Sequence, residues 1–82
     1  MAYFVYLAKC SDGSYYCGIA KNLHARIGMH NKGRGAKYTR SRRPVELAYF
    51  EKTKNKSAAL LREIEIKKYS RKQKILLCKK WN

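Results

Sequence analysis

Tyr6, Tyr16, Arg26, His30 and Glu63 are the side chains whose types and placement could act on a substrate rather than only support a fold. Glu63 is a lone carboxylate in a strongly cationic setting, where a divalent metal ion is a fitting companion. It also precedes Lys67 by four residues, so a helical ion pair worth about 0.3–0.5 kcal/mol is the plain structural alternative. Arg26 and His30 share a helical stripe with Leu23 and Ile27, which places two polar groups on an edge otherwise apolar. Taken singly, His30 reads as a satisfied helix-end histidine and Arg26 as a snorkelling side chain. Beside a hairpin exposing two tyrosines, the combination is harder to read as packing alone.

The elements that must position these groups follow from local signals. Tyr3–Cys10 and Ser14–Ala20 are rich in β-branched and aromatic residues and read as strands, with Ser11-Asp12-Gly13 between them. A two-residue turn would put Tyr6 and Tyr16 on opposite faces. A three-residue loop, with Gly13 in the left-handed position of a bulge, sets Ala8 opposite Tyr16 and Tyr6 opposite Gly18. That register brings the two tyrosines diagonally together and gathers Val5, Leu7, Tyr15, Cys17 and Ile19 on the other face, a better core. The three-residue loop is therefore expected.

Asn22 caps a helix over Leu23–Asn31. Pro44 precedes a third strand, Val45–Glu51, with Val45, Leu47 and Tyr49 on one face. A helix over Ser57–Tyr69 carries Leu60, Leu61 and Ile64 as its apolar stripe. Ser70-Arg71-Lys72-Gln73 matches a capping box and starts a last helix, which turns Ile75, Leu76 and Cys78 inward. Trp81 either packs at the end of that helix or stays exposed. The order ββαβαα implies an α+β fold, a small three-stranded antiparallel sheet flanked by helices.

Composition limits the partner. Twenty Lys and Arg against five Asp and Glu leave a net charge of +15 on 82 residues, a self-repulsion that a polyanion would relieve. Acid is absent from 32–43, where Lys32, Arg34, Lys37, Arg40, Arg42 and Arg43 accompany two glycines, so this stretch reads as a mobile phosphate-binding loop. Lys67 and Arg71, in the acid-free stretch 66–82, extend the nucleic-acid-binding set. No apolar run approaches the ~20 residues that cross a bilayer. The basic loop also lacks the apolar face of an interfacial helix, which argues against a membrane partner. With no basic leader ahead of the first strand, a cytoplasmic protein is expected, and the length suits one domain over 1–82. Cys10, Cys17 and Cys78 form no metal-binding spacing and read as reduced, partly buried thiols.

Phe4-Val5-Tyr6, then Tyr16-Cys17-Gly18, then Asn22-Leu23-x-x-Arg26-x-x-x-His30-Asn31, and finally Ala59-x-x-x-Glu63-x-x-x-Lys67 follow one another in the order and spacing of a known set. In these residues the chain resembles the GIY-YIG nuclease superfamily. It is most similar to small stand-alone bacterial members, which carry the Gly-Ala-Lys-Tyr-Thr stretch present here at Gly35–Thr39. Phe4-Val5 stands for Gly-Ile, Cys17 for Ile, and Ile19 where some relatives have lysine.

The resemblance implies a metal-dependent endonuclease acting on DNA, in preference to RNA, with branched or damaged forms as candidate substrates and DNA repair as a setting. It implies one Mg²⁺ or Mn²⁺ ion held by Glu63, and Arg26 clamping the scissile phosphate. Tyr6 is the favoured general base with Tyr16 orienting water or phosphate, the reverse assignment being the alternative, and His30 holds or deprotonates the nucleophile, with Tyr6 as a relay. The positive surroundings are expected to favour tyrosinate. Larger members carry an additional domain that selects the substrate, a role that would here fall to a protein partner. The rival reading is a non-catalytic nucleic-acid-binding module on the same scaffold, which has no evident need of all five side chains together.

Overall fold

The computed structural model describes residues 2–81, with Trp81 represented by its backbone, so the alternatives for that side chain lie outside the described residues. Strands β1 (Tyr3–Lys9) and β2 (Tyr15–Ala20) form the expected hairpin. Gly13, at φ +83°, donates its N–H to Cys10 O at 3.0 Å, and Cys10 N–H donates to Ser14 O at 2.8 Å. The Asp12 carboxylate braces the loop by accepting from Ser14 N at 3.0 Å and Ser14 Oγ at 2.6 Å. Ala8 faces Tyr16 and Tyr6 faces Gly18, which is the three-residue-loop register.

Strand β3 (Glu46–Thr53) pairs antiparallel with the other side of β1, giving the sheet order β2-β1-β3. Leu7 pairs with Tyr49 but Ala8 with Leu47, so Ala48 is an extra residue in a bulge. The bulge inverts the alternation. Leu47 joins Val45 against Tyr6 and Ala8, whereas Tyr49 packs with Val5 and Leu7 on the opposite face. Placing Val45, Leu47 and Tyr49 on one face is therefore corrected.

Helix α1 (Leu23–Asn31) is capped by the Asn22 side chain, which accepts from Ala25 N–H at 3.0 Å, and it packs Leu23 and Ile27 onto the Tyr6 face. The following basic segment is more ordered than a mobile loop. Residues Lys37–Arg40 form a short helix, α2, within which Thr39 is fully buried. Asn31 fastens this side of the fold: its amide donates to Val45 O at 3.0 Å and accepts Val45 N–H at 2.7 Å.

Helix α3 (Lys56–Lys67) lies on the other face, and its inward side departs from the expected one. Ala59 and Ile66 are buried with Val5, Leu7 and Cys17, while Leu60, Leu61 and Ile64 are 40%, 72% and 54% exposed. The reason is a charged residue that the sheet can satisfy. Arg62, one turn from Ala59 and Ile66, donates from Nε to Glu51 Oε1 and from Nη2 to Glu51 Oε2, both at 2.8 Å. That bidentate pair, joined by Tyr49 Oη–H to Glu51, holds a polar group beside the core and turns the leucines outward.

Helix α4 (Arg71–Trp81) starts at the expected capping box: Ser70 N–H donates to Gln73 Oε1 at 2.8 Å and Gln73 N–H to Ser70 Oγ at 3.2 Å. Leu77 and Cys78 pack inward, and Leu76 is 53% exposed, so Leu77 takes the place expected of Leu76. The three cysteines are free, and burial pushes the Cys17 thiol up to about 11. No helix among the described residues is long and apolar enough to cross a membrane.

Candidate active site

One cleft of about 760 Å³ is lined by Tyr6, Tyr16, Arg26, His30 and Glu63 together. It runs along the edge strand β2, with Gly18, Ile19 and Ala20 in its wall. Helix α1 supplies Arg26 and His30 from one face of the sheet, and α3 supplies Glu63 and Lys56 from the other. Lys21 and Arg34 also line it, so four cations surround one carboxylate, a setting that favours an anion rich in oxygen.

The two tyrosine rings lie 6.4 Å apart between centroids, and His30 sits 5.3 Å from Tyr16 and 6.1 Å from Tyr6. Gly18 lets them meet, since a Cβ there would fall 2.7 Å from Tyr6 Oη and 3.0 Å from the Tyr16 ring. Tyr6 Oη is 2.8 Å from His30 Nε2, and His30 Nδ1 is 2.8 Å from Thr39 Oγ1. Both Tyr6 and His30 are only 1% exposed.

Burial at this depth reverses one electrostatic expectation. The Tyr6 phenol is held well above its ordinary value, first by desolvation and then by Tyr16, with Arg26 opposing too weakly to win. A tyrosinate at rest is thus replaced by a neutral phenol. Burial, followed by the Arg26 charge, holds the His30 imidazole below its ordinary value, so it is neutral near pH 7. A phenol that keeps its proton thus lies beside an imidazole with one N–H and one bare nitrogen.

Glu63 keeps 16% of its side chain exposed and is, among the described residues, the only acid lining the cleft; Lys67 Nζ lies 3.6 Å from its Oε2, so the helical ion pair is also formed. Among the described residues no three His, Cys, Asp or Glu side chains cluster to cage a metal. A single carboxylate facing a solvated cleft fits a hard divalent ion that keeps water and substrate oxygens in its shell.

The basic set is divided. Arg34 lines the cleft, and Lys32, Lys37 and Arg40 are exposed nearby in sequence. Arg42 has internal partners as well. Its Nε donates to Asp12 Oδ2 at 3.0 Å, its Nη1 donates to Tyr38 O at 2.8 Å, and its guanidinium lies 3.9 Å from the Tyr38 ring centroid. Arg43 donates to Arg40 O, Arg71 donates to Gly13 O, and Lys67 faces Glu63, so these three also brace the fold. Reading from the sequence missed Thr39, Gly35 and Tyr38 as parts of the site. Tyr38 stacks on Tyr16 at 6.0 Å, and a Cβ on Gly35 would fall 2.1 Å from His30 Nδ1. The available signal was the Gly35–Thr39 stretch, which carries its threonine with a single basic residue, Lys37.

Residues 2–75 match the GIY-YIG catalytic domain family. Proteins of Staphylococcus aureus strains Mu50 and N315, both called UPF0213 proteins, are 56% identical to this chain over 78 residues, 95% of its length and 95% of theirs. Two solution NMR structures share the fold. A UPF0213 protein of Bacillus halodurans is 40% identical, with a TM-score of 0.58 over 94% of this chain and 82% of that one. A protein of E. faecalis is 42% identical, with a TM-score of 0.61 over 90% and 79%.

Proposed function

The chain belongs to the GIY-YIG family, whose domain is of the nuclease type, and from that premise we propose that it is a divalent-metal-dependent endonuclease hydrolysing phosphodiester bonds in DNA. The observation that carries the reading is the convergence of Tyr6, Tyr16, Arg26, His30 and Glu63 on one cationic cleft from four separate elements. A binding module needs the cations but has no use for a buried phenol aimed at a neutral imidazole.

Glu63 would hold one Mg²⁺ or Mn²⁺, and the bound ion supplies Lewis-acid stabilisation of the charge that develops on the phosphate and leaving oxygen. Arg26, with its permanent charge and planar fork, clamps the non-bridging oxygens. Lys21, Arg34 and Lys56 seat the flanking backbone. Tyr6 takes a proton from the attacking water as its own passes to His30, so no free tyrosinate has to exist beforehand. Tyr16, beside both, orients the water or the phosphate. Branched or damaged DNA is the proposed substrate, with selection supplied by a protein partner.

The test is cleavage of supercoiled plasmid and branched DNA with Mg²⁺ or Mn²⁺. Wild type cuts, and Glu63→Gln and Arg26→Ala each lose about 10²-fold or more in rate while still binding DNA. Equal cutting by all three overturns the assignment. Binding with no cutting by wild type leaves the non-catalytic module. Affinity should fall steeply with salt, and Arg34→Ala should lower that slope by about one.

A further inference from the structure

Three residues of the Gly35–Thr39 stretch are built around His30. Thr39 is fully buried, and its Oγ1–H donates to Ala36 O at 2.8 Å. The same Oγ1 lies 2.8 Å from His30 Nδ1. A hydroxyl has one proton to donate. With that proton committed to the Ala36 carbonyl, Oγ1 can meet Nδ1 only as an acceptor, so Nδ1 carries the imidazole hydrogen. Turned the other way, the hydroxyl and carbonyl oxygens would face each other at 2.8 Å with no proton between them, a buried repulsion. A neutral imidazole with hydrogen on Nδ1 has a bare lone pair on Nε2, and Nε2 is the atom 2.8 Å from Tyr6 Oη. Gly35 makes the arrangement possible, because any Cβ at that position would occupy the space of Nδ1.

We infer that Thr39 is a positioning residue for His30: it fixes the Nδ1–H tautomer and thereby keeps Nε2 open to receive the Tyr6 proton. The chain of donors runs in one direction, from Tyr6 Oη–H to His30 Nε2, and from His30 Nδ1–H to Thr39 Oγ1, whose own hydrogen ends on Ala36 O. When Tyr6 gives up its proton, Nε2–H forms, the imidazole becomes cationic, and Thr39 and Ala36 keep their hydrogens. The other tautomer would present Nε2–H to the phenol and leave it no acceptor. The consequence for rate rests on the endonuclease reading; the tautomer itself does not.

Nitrogen–proton correlation spectra of ¹⁵N-histidine-labelled protein, without metal or DNA, read the tautomer directly, and a His24→Gln background leaves His30 as the only ring in the spectrum. Wild type and Thr39→Ser should carry the hydrogen on Nδ1. Thr39→Val, which keeps the volume and removes the acceptor, should shift it toward Nε2. In cleavage assays kcat should fall about 10- to 100-fold in Thr39→Val with KM for DNA nearly unchanged, and Thr39→Ser should recover it. Hydrogen on Nε2 in wild type overturns the inference, as does an unchanged tautomer in Thr39→Val. A shifted tautomer with undiminished kcat overturns its catalytic half. If the tautomers behave as expected and wild type cuts no DNA, the endonuclease reading falls while the hold of Thr39 on His30 stands.

Discussion

Under α3, Val5, Leu7 and Cys17 meet Ala59 and Ile66 in an apolar cluster. Across the same sheet, under α1 and α2, Tyr6 and His30 are buried as deeply, yet they are joined by hydrogen bonds to each other and to Thr39. Strand β1 serves both sides, since alternate residues point to opposite faces. The first face gains from removing carbon from water. The second must satisfy every polar atom it hides, and among the described residues no buried side-chain nitrogen or oxygen lacks a partner. Both faces carry an apolar cluster, and the second adds to its own a buried chain of hydrogen-bonding groups, Tyr6, His30 and Thr39.

The sharpest way to break this contrast is to alter neighbouring residues of β1. Leu7→Ala should cost about 2–5 kcal/mol in chemical denaturation, a large share of a small domain's stability, with the rate per folded molecule unchanged. Tyr6→Phe should cost about 1 kcal/mol of stability but about 10²-fold or more in cleavage. Matching stability losses for the two would show that the faces are not divided in this way.

Acidity should separate the two regions next. The folded His30 binds its proton less readily than the unfolded chain does, so the unfolded state takes up more protons as pH falls. Stability from this group is present above about 6.5 and is lost progressively below it. Glu51, held below the ordinary carboxylate value first by Arg62, contributes above about 4.5 and loses that contribution as pH drops further. Thermal denaturation from pH 8 to 3 should therefore weaken in two stages, and His30→Gln should remove the upper one. A single decline below pH 5 in wild type would place no strain on the histidine.

The smallest expected effect is the most diagnostic of helix orientation. Leu61→Ser, at a position 72% exposed, should change stability by no more than about 0.5 kcal/mol. A loss of several kcal/mol would restore Leu60, Leu61 and Ile64 to the core.

Hairpin register, the Asn22 cap and the Ser70–Gln73 box were legible because each joins residues within a few positions, where the chain has little choice of partner. The five site residues were legible through types and spacing, and the cleft brings them together. The inward face of α3 was not, because apolar periodicity favours Leu60, Leu61 and Ile64, and the bidentate partner of Arg62 beside the core, Glu51, lies eleven residues away on β3. The Tyr49 face was hidden for a similar reason, since a bulge at Ala48 is a property of two strands in register.

What the sequence by itself determined is the set of local elements, the cationic character and the residue types that line the cleft, all carried by neighbours or by composition. The tertiary structure alone decided that Tyr6 is buried as a neutral phenol, that Arg42 reaches back to Asp12, and that Thr39 lies against His30 Nδ1. Desolvation and hydrogen-bond direction depend on which atoms surround a group in space, and those atoms come from chain segments that no local pattern links.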